Sequence, residues 1–275
     1  MTKRGAKNPF DLTGRVAVIT GGAGLLGRQH AAAIHDFGGI PVLVDLDARS
    51  AAAAAKTVGR RAIGLAMDVT NPESVLGVRT YLVKRYRKVD ILINNAALNP
   101  KVEGPANQSR LGRLEDLDLA TWNRELAVGL TGAVLCSRFF GEQMARQGGG
   151  VILNIASDLG LIAPDQRLYA QSGAPSRRQP KKPVSYSVVK TGLIGLTRYL
   201  ATYWAEQGVR ANALCPGGVE NGQPADFIRR LADRIPLRRM ARVSEYQGCV
   251  VFLCSDASSY MTGSVVAADG GRTCW

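Results

Sequence analysis

The sequence predicts a doubly wound α/β fold, a parallel sheet of about seven strands with helices on both faces, on three observations. Val16-Ala17-Val18-Ile19 is an unbroken apolar run, as a parallel strand covered on both sides requires. Thr20 and Gly21 then lead into Gly22-Ala23-Gly24-Leu25-Leu26-Gly27, a match to G-x-G-x-x-G. In that pattern the missing β-carbons let the backbone approach a pyrophosphate, and free helix N-terminal amides face its charge. Short apolar runs then alternate with helix-like segments toward the C-terminus, and no internal repeat or low-complexity block interrupts them.

From Leu25 to Phe37, apolar and alanine positions recur at helical spacing before Gly38-Gly39 closes the segment. Ile40 to Val44 reads as the second strand, ended by Asp45, whose carboxylate can bond the ribose hydroxyls of an adenosine. Asp45 would repel a 2′-phosphate and Leu46 beside it offers no cation, so the pattern favours NAD over NADP. Capping of a helix that starts near Ala48 is the competing role for Asp45. Ala62 to Ala66 is a third strand leading to Asp68 and Val69, with Asp68 placed to meet an adenine edge, and Thr70-Asn71-Pro72-Glu73 opens the next helix.

Asp90 to Ile93 is the fourth strand and runs into Asn94-Asn95-Ala96-Ala97, where small side chains suit a cofactor lying across the strand ends. Leu98 to Arg113 is a polar loop rich in Pro, Gly, Asn and Gln, long enough to suggest mobility or substrate contact. A helical stretch from about Ala120 to Met144 precedes Gly148-Gly149-Gly150 and a fifth strand, Val151 to Ile155. That strand delivers Ser157 and Asp158 to the carboxyl edge of the sheet, where folds of this class bind ligands. A further helix runs from Tyr186 to about Glu206 and sets Tyr186 and Lys190 on one face at i,i+4.

Composition narrows the function. At 275 residues and 46% hydrophobic, the chain can bury one substantial core: a tail over residues 1–12, then a single domain over 13–275. The basic N-terminus lacks an apolar segment after it and no run reaches membrane-spanning length, which points to a cytoplasmic protein. Five scattered cysteines, Cys136, Cys215, Cys249, Cys254 and Cys274, suit a reducing compartment and lack zinc spacing. The only two histidines, His30 and His35, both lie on the first helix, so neither a histidine triad nor a metal site is expected. The formal charge of +13 would suit nucleic acid, anionic lipid or an acidic metabolite. No nucleic-acid reading motif with interleaved aromatics accompanies it, and part of the charge, Arg79 to Lys88, falls on an amphipathic helix.

The Tyr186–Lys190 pair has a chemical rationale. A phenol with a pKa of about 10 exchanges no proton near neutrality unless a cation favours its phenolate. Lowering it by about three units requires about 4 kcal/mol, a task a close lysine and an oxidised nicotinamide could share.

Taken together, T-G-G-A-G-L-L-G, Asp45, Asp68-Val69, N-N-A-A, Ser157, Y-S-V-V-K, N-A-L-C-P-G-G-V from Asn212, and D-G-G at Asp269 resemble the short-chain dehydrogenase/reductase family. The likeness runs from about Asp11 to Gly271 and implies a Rossmann-type fold and an NAD-dependent alcohol dehydrogenase or ketone reductase. It implies that Tyr186 is the general acid/base, that Ser157 bonds the reacting oxygen, and that Lys190 holds the nicotinamide ribose while acidifying Tyr186. It also implies cofactor contacts from Gly21, Gly24, Leu25, Leu26 and Gly27, from Asp45, Leu46, Asp68 and Val69, and from Asn95, Ala96 and Ala97. Pro216, Gly217 and Val219 would flank the nicotinamide, with Asp158 and Gly218 on the substrate side.

Three departures qualify the likeness. The glycine spacing resembles the family's extended branch, with Leu25 where classical members carry glycine, whereas the length and C-terminus resemble the classical branch. Gly129 stands where the family has a fourth catalytic residue, an asparagine, so its proton-relaying water is in doubt. Ser157 and Tyr186 are also unusually far apart, which places an insertion near residues 164–183 beside the site.

That insertion carries Arg167, Arg177, Arg178, Lys181 and Lys182, while Arg229, Arg230, Arg234, Arg238 and Arg239 fall in a substrate loop near 219–242. Two basic segments converging on one cleft would suit an anionic sugar or polyol, with Arg177 and Arg178 as contacts. A solvated lid is the competing reading. The sequence further resembles gluconate dehydrogenases and surface-glycan sugar enzymes of the family, and its long helices resemble those that pair members into dimers or tetramers. The alternative function, motivated by Gly129, is a dinucleotide-binding regulator that has lost turnover.

Overall fold

The computed structural model describes residues 8–99, 102 and 112–275. Residues 1–7 of the expected tail and most of the loop expected from Leu98 to Arg113 lie outside these. The rest of the tail is anchored: Leu12 is fully buried and the Pro9 carbonyl accepts from the Ala257 amide at 2.9 Å. The domain body therefore begins earlier than residue 13.

Seven parallel strands form one sheet: β1 (Val16–Thr20), β2 (Ile40–Asp45), β3 (Ile63–Ala66), β4 (Ile91–Asn94), β5 (Gly150–Ile155), β6 (Val209–Pro216) and β7 (Val265–Ala268). Their order is β3-β2-β1-β4-β5-β6-β7, so the winding reverses between β1 and β4. A crevice opens there because the connections on either side leave toward opposite edges. Alternate strand residues supply two cores. Val16, Val18, Leu92 and Ile152 face α3 (Pro72–Tyr86), α5 (Gly132–Arg146) and α6 (Val184–Tyr203). Ala17, Ile19, Ile93 and Leu153 face α1 (Leu25–Asp36), α2 (Ala48–Val58) and α8 (Gln247–Cys254).

Local chemistry sets the helix starts. Asn71 caps α3 through the Glu73 and Ser74 amides, with Pro72 in the first turn. Asp118 caps α4 (Leu119–Leu126) in the same way. The single helix expected near 120–144 is interrupted by a wider π-turn, Ala127–Thr131, centred on Gly129. A Cβ on Gly129 would stand 2.6 Å from Val189 Cγ1, so α6 packs closely over this glycine and a larger residue there would have to displace the Val189 side chain.

His30 is fully buried on α1. Burial pushes its pKa down from 6.5 to about 4, against a smaller pull from Asn95. Below pH 6.5 the unfolded chain takes up a proton that the folded protein refuses until about pH 4, so stability falls with pH across that window. The loss reaches about 3 kcal/mol. Thermal melting at about pH 7 and about pH 4.5 should show His30→Leu losing less stability on acidification than the parent does.

Candidate active site

The carboxyl edge at the β1/β4 switch point is stitched by hydrogen bonds. Thr20 Oγ1 accepts from the Asn95 and Ala96 amides at 2.9 and 3.0 Å, and Asn95 Nδ2 donates to the Thr20 and Gly21 carbonyls at 2.9 and 3.2 Å. Gly21 adopts φ +61°, and a Cβ there would come within 3.0 Å of Ala96 Cα, so the strand ends close only over glycine. A cavity of about 650 Å³ opens above them.

Gly21, Gly24, Leu25 and Leu26 line its near wall, as do Asp45, Leu46, Asp68, Val69, Asn95, Ala96 and Ala97. Gly27 does not. A Cβ on it would strike the Gly21 carbonyl and Gly22, so this glycine packs helix against turn, a correction to its expected cofactor contact. Asp45 is free of the capping role that competed for it: Asp47 caps α2, while Asp45 Oδ2 accepts from the Ala23 amide at 3.1 Å and its Oδ1 from Leu46 at 2.9 Å. The carboxylate is thus held against the glycine turn and on the cavity wall. The residues present suit a dinucleotide: a glycine cradle, exposed first-turn amides of α1 that no side chain caps, and a fixed carboxylate at the end of β2.

The far end gathers Ser157, Asp158, Tyr186 and Lys190 with Pro216, Gly217, Gly218 and Val219. β5 delivers Ser157, whose hydroxyl donates to Asp158 Oδ1 at 2.8 Å and accepts from the Leu159 amide at 3.2 Å. The first turn of α6 presents Tyr186, and Lys190 lies one turn on, buried, with Nζ donating to the Ile155 carbonyl at 2.7 Å and 5.7 Å from the Tyr186 ring centre. Burial pushes the Tyr186 phenol up to about 12; Ser157 pulls it down and the charge of Asp158 pushes it further up. Burial pulls the Lys190 ammonium down to about 8, with Cys215 opposing and Lys182 adding repulsion.

The basic segments arrange themselves differently from expectation. Arg177 and Arg178 sit exposed on a short 3₁₀ turn and do not line the cavity. Arg229, Arg234, Arg238 and Arg239 pair with Asp226, Asp165, Asp233 and Glu245 at 2.9, 2.6, 3.7 and 2.6 Å, and Arg230 bonds the Leu168 carbonyl at 2.9 Å. Arg167, with Arg234, holds the Asp165 carboxyl well below the usual carboxylate range. Arg230 and Arg234 thus dock the insertion onto α7 (Ala225–Ala232) and its C-terminal end, where Leu168 and Tyr169 pack with Phe227 and Leu231, while the other three pair within their own segment. From the insertion, Lys182 reaches the cavity, 4.0 Å above the Tyr186 ring and 2.7 Å from Asn99 Oδ1.

Sequence reasoning missed Arg272. The D-G-G turn, with Gly270 and Gly271 at φ +68° and +89° and Asp269 accepting from the Gly271 and Thr273 amides, swings Arg272 onto the cavity wall. There Nη1 meets Asp158 Oδ2 at 2.6 Å, both residues being buried. The signal was the D-G-G motif itself, but its spacing says nothing of where the next side chain lands. Among the described residues no His, Cys, Asp or Glu cluster could hold a metal and no helix is long and apolar enough to cross a membrane; the five cysteines are free thiols.

Known proteins resemble this chain along nearly its whole length. A family model described as enoyl-(acyl carrier protein) reductase matches residues 22–273. The cis-4-hydroxycyclohexanecarboxylate dehydrogenase of Sinomonas cyclohexanicum is 34% identical, over 94% of this chain and 96% of that one. The NAD-dependent glycerol dehydrogenase of Listeria innocua is 30% identical over 99% of both chains. A gluconate 5-dehydrogenase from Burkholderia cenocepacia, solved with NADP and tartrate, superposes with a TM-score of 0.83 at 27% identity, covering 97% of this chain and 98% of that one. The chain belongs to the short-chain dehydrogenase/reductase family of oxidoreductases, enzymes that use a nicotinamide dinucleotide.

Proposed function

We propose that the protein interconverts a secondary alcohol and a ketone with NAD(H), using Tyr186 as general acid/base, on a small sugar or polyol derivative bearing an anionic group. One observation carries this reading: Ser157, Tyr186 and Lys190 face the same cavity as the glycine turn and Asp45. The chemistry a bound nicotinamide supplies is hydride acceptance or donation. Gly21, Gly24, Leu25 and Leu26 would hold its pyrophosphate, Asp45 the adenosine ribose, and Lys190 the nicotinamide ribose. Tyr186 takes the hydroxyl proton as the alcohol is oxidised and returns it on reduction, while the Ser157 hydroxyl bonds the reacting oxygen. NAD over NADP is supported by Asp45 and by the cationic lining side chains, Lys182, Lys190 and Arg272, which among the described residues all lie at the substrate end.

Lys182 and Lys190, with the Arg272–Asp158 pair beside them, give this end a cationic lining among the described residues that supports an acidic substrate, and two of the relatives above are named for hydroxy acids. The expected result is reduction of NAD by aldonic and other hydroxy acids, weaker turnover of neutral polyols, and an unchanged KM on replacing both Arg177 and Arg178 with Gln. Equal turnover of neutral and acidic substrates would defeat the anionic assignment, and NADH binding without oxidation of any alcohol would defeat the enzymatic one.

A further inference from the structure

Beside the phenol lies a buried ion pair that the hydride reaction does not itself require. Asp158 and Arg272 are 3% and 7% exposed, and their contact is the 2.6 Å bond already described. The other oxygen of Asp158 accepts from the Ser157 hydroxyl and from the Leu159 amide, both at 2.8 Å. This carboxylate therefore touches the Ser157 hydroxyl directly, and its only cationic partner among the described residues comes from the far end of the chain. The turn that brings Arg272 there is held from inside and outside. Asp269 ties it from within, and a Cβ on Gly271 would stand 2.8 Å from Pro236 Cγ.

We propose that Arg272 is a positioning residue for the proton step: by pairing with Asp158 it cancels a carboxylate beside Tyr186 and fixes the direction of the Ser157 hydroxyl. The C-terminal D-G-G-R turn thereby sets the pH at which Tyr186 ionises. This rests on the reading of Tyr186 as the acid/base.

The electrostatic logic follows from what surrounds the phenol. Lys182 from the insertion lies over its ring, Lys190 follows one turn along α6, and Asp158 with Arg272 closes the side next to β5. Cys215 on β6, near Lys190, is a thiol raised by burial to about 11 and so neutral near pH 7. Glu125 of α4, buried and accepting from the Ser185 hydroxyl, lines a small cavity with Tyr186 and Lys190 on the α4 side. Of the two carboxylates, Asp158 is the one whose charge acts against the phenolate. With Arg272 on its second oxygen the pair is neutral overall. Without that partner, a lone buried carboxylate would oppose the phenolate and would also repel any anionic substrate group.

The test compares the parent with D158N, R272M and the double variant D158N/R272M. The phenolate absorbance of Tyr186 is isolated by subtracting the titration of Y186F, in protein without dinucleotide, and the pH profile of alcohol oxidation is recorded alongside. The expected result is an upward shift of about one pH unit in R272M and a downward shift of similar size in D158N. In the double variant, which buries no unpaired charge and so keeps the fold accessible if R272M does not, the titration returns to the parental value. Parental titration in both single variants, or a double variant displaced as far as a single one, would overturn the inference. Should Y186F oxidise alcohols normally, the acid/base reading fails, while the absorbance titration still decides the role of Arg272.

Discussion

Tyr186→Phe lowers kcat for alcohol oxidation by about 10²–10⁴-fold, the usual worth of a positioned acid/base, while the dissociation constant for NADH stays within about threefold of the parent. The ring remains on α6 and continues to wall the cavity, so binding survives; what disappears is the oxygen proposed to take the hydroxyl proton. Burial and the charge of Asp158, against the pull of Ser157, place the phenol at about 12, which makes the parent's oxidation rate climb with pH as more phenolate forms. Reduction runs the other way, since the phenol must then donate its proton, and its rate falls over the same range. Steady-state rates in both directions, with NADH titrated by fluorescence, check each part. A Y186F enzyme that still oxidised alcohol at about a tenth of the parental rate would show that another group moves the proton.

Asp45→Ala weakens NADH by about 10–100-fold, as expected for loss of charge-assisted bonds to two hydroxyls, and leaves NADPH binding unchanged or improved. The ratio of the two dissociation constants is the informative quantity. Asp45→Asn separates the causes: the amide oxygen can still accept from the Ala23 amide and hold the glycine turn, so any gain toward NADPH in that variant comes from lost repulsion and the new amide donor, not from a loosened turn. A parent enzyme that prefers NADPH would refute the assignment of Asp45, and the NADP seen in the Burkholderia cenocepacia gluconate 5-dehydrogenase makes this a sharp comparison.

The dinucleotide end of the site was readable because its determinants are local. A strand, a glycine turn and a carboxylate closing the next strand are fixed by spacing, and the structure puts Gly21, Gly24 and Asp45 on one wall. Tyr186 and Lys190 were equally accessible, being one helical turn apart. What escaped depends on where separate segments meet. The charges of Arg230 and Arg234 suggest an anion site until one sees that Leu168 and Asp165 occupy them, and a count of basic residues holds no information about such pairing. Arg272 was overlooked for the same reason, since a side chain 114 positions from Asp158 in sequence becomes its partner through a turn. The π-turn at Ala127–Thr131 hid inside a pattern that any long helix would share.

The docking of the insertion on α7 has a consequence for how substrates reach the Tyr186 phenol. The Tyr169 and Phe227 rings pack with centres 5.7 Å apart and the Asp165–Arg234 bond spans the same seam, so peeling either piece away alone would bare apolar rings and break that ion pair. The two segments are therefore held together as one wall beside the cavity. A change of substrate size then demands matched changes on both sides of that seam, and a swapped α7 grafted without its insertion would leave Phe227 and Leu231 without their partners.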